Sequence, residues 1–240
     1  MDDVVTKWLE EIAANKLNSE DVERSLRYAR DLERGLAKIR TYSQGVSIFG
    51  SARLPMDGKW CKLAEQLGYK LAQNGHPVIT GGGPSIMEAA NKGAYEAGGR
   101  SIGLNIQLAH EQHINPYVTD EMEFHYFFAR KVMLTLSSKV YVFFPGGFGT
   151  LDEFSEILIL MQEGKMPKMP MFLIGKSFWK PLDRFFATKM TALKTINDKD
   201  RKIYRITDDI DEVVKAANKI GHVSIYDNIY NDKKSDFKLI

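Results

Sequence analysis

Val140-Tyr141-Val142-Phe143-Phe144-Pro145-Gly146-Gly147-Phe148-Gly149-Thr150 is an apolar run that breaks into a proline and three glycines. β-Branched and aromatic residues in a row, with no polar position to face water, read as a strand buried on both faces. The glycines that follow it, and the helical pattern over 150–163 after them, read as a strand-to-helix turn. The same succession recurs toward the N-terminus. A run at 46–49 passes into Gly50-Ser51-Ala52-Arg53, and one at 78–80 into Gly81-Gly82-Gly83-Pro84-Ser85. Further strands are expected at 101–104 and 171–174, with weaker signals at 122–125 and 204–206. Helices are expected over 58–74, 84–97, 126–137, 150–163, 178–193 and 208–220. Strands that alternate with helices predict a doubly wound α/β fold, a mainly parallel sheet of about seven strands covered on both sides.

The chain before this unit has a different texture. Residues 1–44 are charge-rich, and Val22, Leu26, Ala29, Leu32, Leu36 and Ile39 recur at steps of three and four, so an amphipathic helix capped by Ser19 is expected there. A shorter helix is expected over 3–15. The organisation read from this is a helical extension (1–44), a Rossmann-like nucleotide-binding domain (45–225) and a polar tail (226–240). Lys and Arg number 33 against 31 Asp and Glu, a balance of +2 that disfavours nucleic-acid binding by bulk charge. The single cysteine, Cys61, excludes an intramolecular disulfide or a multi-thiolate metal site and fits a reducing compartment. An acidic start, Met1-Asp2-Asp3, and apolar runs far short of the roughly 18 residues of a spanning helix place the expected location in the cytoplasm, with no membrane partner.

In open parallel sheets, ligands bind beyond the carboxyl ends of the strands, where the first turn of the next helix offers unpaired N–H groups. Glycine-rich loops at several such ends point to a nucleotide or sugar phosphate. The familiar signatures do not fit. A G-x-G-x-x-G fingerprint fails because Gly81-x-Gly83 reaches Ile86 and Gly147-x-Gly149 reaches Asp152. Gly175-Lys176-Ser177 lacks the leading glycine of a phosphate-binding loop, since Pro170 stands there. His110 and His113 have neither zinc spacing nor a third ligand. No metal or cofactor is expected.

Phe128-Ala129-Arg130-Lys131, taken with Pro145-Gly146-Gly147-Phe148-Gly149-Thr150-Leu151-Asp152-Glu153, resembles the LOG ("lonely guy") family of phosphoribohydrolases, marked by an Arg-Lys pair followed by P-G-G-x-G-T-x-x-E. The loop from Ile48 to Arg53 and the segment from Thr80 to Ala94 resemble the first and second loops of its longer bacterial (type II) members. The match runs in order from about residue 46 to 175. Ser85 departs from the commonest bacterial form, in which glycine is frequent. The resemblance implies hydrolysis of the N-glycosidic bond of nucleoside 5′-monophosphates, AMP and its N6-prenylated forms, to free base and ribose 5-phosphate. It also implies a homo-oligomer, a dimer or hexamer. A non-catalytic carrier of the molybdenum-cofactor type, on the same fold, is the alternative reading.

Cleaving C1′–N builds positive charge on the ribose, which a nearby carboxylate stabilises. Glu153 is the candidate, with Arg130 as its catalytic partner. Thr150-x-x-Glu153 also spells a capping box, in which Glu153 would merely cap its helix. Candidate contacts to the phosphate and nucleotide are Gly50, Ser51, Arg53, Gly82, Gly83, Glu88, Lys131, Met133, Gly146, Gly147, Gly149 and Thr150. Met87 and Met133 are both candidates for a base pocket, although methionines at helical spacing also suit a core.

Overall fold

The computed structural model describes residues 18–39, 45–107 and 114–220, together with Thr6, Lys7, Glu10 and Tyr42. The helix expected over 3–15 falls almost wholly outside these residues, as do His110, His113 and the tail. The strands are β1 (Gly45–Phe49), β2 (Val78–Thr80), β3 (Ser101–Ile106), β4 (Asp120–Phe124), β5 (Ser138–Phe143), β6 (Met171–Ile174) and β7 (Arg205–Thr207). They form one sheet in the order β4-β3-β2-β1-β5-β6-β7, with every pairing parallel. The chain thus winds outward from β1 to β4, returns to lay β5 against the other side of β1, and winds outward again. The helices that follow β1 and β5 cover opposite faces of the sheet, so this is the switch point at which such sheets bind ligands.

Period-two alternation feeds two cores. Val46, Ile48, Val140, Val142 and Phe144 face one layer of helices, α2 (Lys59–Gln73), α3 (Ile86–Glu96) and α7 (Asp211–Lys219). Phe49, Tyr141 and Phe143 face the other, α1 (Ser19–Ile39), α4 (Phe127–Leu136), α5 (Phe148–Gln162) and α6 (Lys176–Phe185). The helix expected over 178–193 stops at Phe185 and opens into a π turn, Phe186–Met190. There Thr191 donates both its N–H and its hydroxyl to Phe186 O, the longer i→i+5 contact that apolar spacing does not distinguish from a helical one.

The cap of α1 is Asn18, not Ser19: Asn18 Oδ1 accepts the Asp21 N–H at 2.9 Å. Only the second half of the expected stripe is packed. Leu32, Leu36 and Ile39 join the core, whereas Leu26 and Ala29 are exposed. Met133 is fully buried in the same core, where Gly35 of α1 approaches so closely that a methyl group there would lie 2.7 Å from Met133 Cγ and Sδ. It therefore packs the extension and does not line a base pocket.

Candidate active site

The crevice is bounded by three loops that are tied together. Ser51 N–H donates to Pro145 O at 3.1 Å, which joins the turn after β1 to the turn after β5. Ile86 N–H, the first of α3, donates to Ser51 O at 3.2 Å and joins the second glycine loop to the first. A methyl group at Gly50 would lie 2.6 Å from Ile86 Cγ2, so this junction needs glycine. In the second loop Gly82 has φ of +72°, and Asn115 holds the turn from below by donating to Gly82 O and Gly83 O. Asn115 also donates to Asn91 Oδ1 at 3.0 Å, and Asn91 Oδ1 accepts from Thr80 Oγ1 at 2.6 Å. Neither asparagine stands out in the sequence, because the contacts that give them meaning cross 11 to 33 residues.

The third loop behaves differently. Helix α5 begins at Phe148, two residues before its expected start, with Gly147 as N-cap. Its first backbone bond runs from Leu151 N–H to Gly147 O, so the N–H groups of Phe148, Gly149 and Thr150 form the open, positive end of the helix. Gly146 is crowded by Thr150, but a methyl group at Gly147 or Gly149 would meet nothing within 4 Å. Neither of these two has a positive φ. Gly147 serves as the N-cap, a position glycine suits, but the fold has no use for glycine at 149. Phe148, between them, is 91% exposed.

This early start also settles the capping question. Thr150 stands three residues inside α5 and is buried, and no side chain caps the helix. Glu153 instead lines a narrow cleft between β1, α4 and α5, with Phe49, Lys131, Leu134 and Thr135. Burial pushes its carboxyl up to about 7, against the pull of Arg130. Arg130, on α4, is itself buried; its Nε–H donates to Leu104 O at 2.7 Å, and its Nη2 lies where a side chain on Gly81 would be. Desolvation lowers the guanidinium pKa, and Glu153 opposes that shift. Met87 Sδ is on the same side, 2.9 Å from where a Gly81 methyl would sit. Of the two methionines considered from sequence, Met87 is the one beside the crevice.

Lys131 is not available to a phosphate in the way the sequence reading supposed. Its ammonium is paired with Asp152 Oδ2 and Glu156 Oε2, both at 2.9 Å. Burial lowers its pKa, but the two carboxylates outweigh burial and hold it above the usual lysine value. Glu88 is half-buried in the first turn of α3, and Arg53 is exposed beside Ser51, whose Oγ accepts the Arg53 N–H at 3.0 Å. The amino end of α6 is closed to anions, since Asp208 Oδ1 accepts the Lys176 N–H at 2.9 Å. Among the described residues no group of three or more His, Cys, Asp or Glu gathers in metal-binding geometry, and no helix is long and apolar enough to cross a membrane.

A family model described as "possible lysine decarboxylase" matches residues 87–217. A cytokinin riboside 5′-monophosphate phosphoribohydrolase of Rhodococcoides fascians is 25% identical over 154 residues, 61% of this chain and 75% of that one. An uncharacterized protein of Archaeoglobus fulgidus is 32% identical over 110 residues, 45% of this chain and 69% of its own. Among solved structures, the molybdenum cofactor binding protein of Rippkaea orientalis superposes with a TM-score of 0.55 at 23% identity, over 72% of this chain and 93% of that one. At that identity the likeness speaks for the fold alone.

Proposed function

This chain belongs to the LOG family, and from that premise we propose that it hydrolyses the N-glycosidic bond of nucleoside 5′-monophosphates, AMP and its N6-prenylated forms foremost, to free base and ribose 5-phosphate. The observation that carries this reading is Gly149. Glycine suits the N-cap position that Gly147 holds, but inside the first turn of a helix it costs stability relative to alanine. Gly149 has room for a methyl group and no positive φ, so its benefit lies in letting an anion reach the N–H groups of α5.

With the 5′-phosphate on that helix end, Glu153 lies on the same helix beside the ribose. Its carboxylate offsets the positive charge at C1′ and accepts a proton from the attacking water. The water oxygen bonds to C1′ as the C1′–N electron pair leaves with the base, and the proton taken by Glu153 passes to the base. Arg130, anchored through Nε, presents its Nη groups to ribose or base. A decarboxylase, which the family model's description names, would need a lysine held neutral for Schiff-base formation. Lys131, the lysine beside Glu153, is held charged by Asp152 and Glu156.

The test is a panel of nucleosides and nucleoside monophosphates, with free base followed by chromatography. AMP is expected to exceed adenosine by at least about 100-fold in kcat/KM, the worth of two or three charge-assisted bonds to phosphate. Glu153→Gln is expected to lose at least about 100-fold in kcat while AMP affinity, measured by calorimetry, persists. Equal turnover of adenosine and AMP would remove the phosphate assignment. A wild-type protein that binds AMP and releases no base from any monophosphate would be a carrier.

A further inference from the structure

Helix α1 is a charged surface helix, yet one of its acids, Asp31, is only 3% exposed. Two backbone N–H groups converge on its Oδ2, those of His125 at 2.8 Å and Tyr126 at 3.2 Å, and the His125 ring nitrogen Nδ1 lies 3.3 Å from Oδ1. His125 and Tyr126 join β4 to α4, and Tyr126 is the N-cap of α4. The Tyr126 carbonyl in turn accepts the Arg130 N–H at 3.1 Å, and Arg130 Nε–H reaches Leu104 O. Asp31 is thus bonded to the backbone that opens α4, and the first turn of that helix carries Arg130.

Two further contacts on the same face of α1 hold the same helix. Tyr28 meets Tyr126 and Phe128 edge-on, with ring centroids 4.5 and 5.2 Å apart. Gly35 allows the close approach to Met133 described above. Residues 28, 31 and 35 are spaced three and four apart, so one stripe of α1 grips α4 from its cap to nearly two turns beyond its start.

We propose that Asp31 is a positioning residue, fixing the entry of α4 and through it the placement of Arg130 against Gly81 and Glu153. This rests on the reading that Arg130 serves the site. A clasp that only stabilised the fold would move the melting temperature and nothing else. A positioning role also moves the environment of Glu153, where Arg130 and Lys131 favour the carboxylate and Asp152 and Glu156 oppose it.

The full-length wild-type chain, Asp31→Asn and Asp31→Ala are compared. The measurements are kcat and KM for AMP, the ionisation midpoint of Glu153 by carbon NMR of carboxyl-labelled glutamate, and melting temperature. Asn keeps one oxygen for the two N–H groups but gives up the charge that strengthens both bonds and the oxygen that faces His125 Nδ1, so it loosens the clasp and should remain folded if Ala does not. In Asp31→Asn, kcat is expected to fall at least about tenfold with KM changed by less than about threefold. Its Glu153 midpoint should rise by about half a pH unit or more as the guanidinium shifts away. Unchanged kcat and an unchanged midpoint in folded Asp31→Asn, with only a lower melting temperature, would overturn the proposal. Should the wild type cleave no monophosphate, the activity reading fails on its own account. The Glu153 midpoint then decides Asp31, with a rise upholding the positioning role and a constant value overturning it.

Discussion

Ser85 has φ of +65° and ψ of −119°, a backbone conformation that suits glycine, and it compensates through its side chain. Its buried hydroxyl donates to Leu54 O at 2.7 Å, fastening α3 to the first loop. Ser85→Ala keeps the strain and strands the carbonyl, so it is expected to cost about 1–2 kcal/mol in urea unfolding. Ser85→Gly loses the same bond but relieves about 1 kcal/mol of backbone strain, and its loss should be visibly smaller. An Ala variant as stable as the Gly variant would show that the hydroxyl contributes nothing. Glu153 gives a second expectation at this scale. Its folded pKa of about 7 lies above the ordinary 4.5, so the stability it contributes is full below about 4.5 and is lost as pH rises through about 7. Glu153→Gln carries no charge at any pH. Its melting temperature relative to wild type should therefore climb between about pH 4.5 and pH 7 and level off above, and a difference constant with pH would place the carboxyl in solvent.

At the scale of an element, α5 separates what its glycines do for the fold from what they do for the ligand. Gly149 lies within the first turn of a helix and has room for a methyl group. Gly149→Ala is expected to stabilise the protein by about 0.5–1 kcal/mol from helix propensity alone. The same methyl stands where the phosphate would approach, so AMP affinity is expected to fall at least about tenfold, read by calorimetry. A variant that is more stable and binds AMP as before would mean that this helix end is not the phosphate site. Helix α4 offers a contrast, since its entry is held by Asp31 from another element and not by any cap of its own.

At the scale of the molecule, apolar surface remains at the helix starts that rim the crevice and along α5. Phe127 is 57% exposed, Phe148 lies at the start of α5 and Ile159 is 54% exposed two turns past Glu153. Phe124 is not part of this surface, because it is buried under α1. Helix α5, apolar on more than its core-facing side, is the kind of helix that another surface covers. Light scattering at micromolar concentration is expected to give at least the mass of a dimer. A monomer would leave these side chains to solvent and exclude a crevice completed by a second copy.

The strands and their turns were determined by the sequence itself, because a strand buried on both faces and a glycine turn are written in consecutive residues. The linear order of Pro145 to Glu153 likewise marked the crevice, since a helix end and a carboxylate one turn on are local geometry. What tertiary structure decided were the partners. Two residues' difference in the start of α5 turned a capping box into a carboxylate in a crevice. Lys131 found Asp152 and Glu156, and Met133, rather than Met87, went into the core. Asp31, read only as part of a solvated helix, met donors 94 and 95 residues away. Local patterning fixes which face of an element is apolar, but the burial that shifts a pKa or assigns a partner comes from elements packed across the sheet, and no short window of sequence contains them.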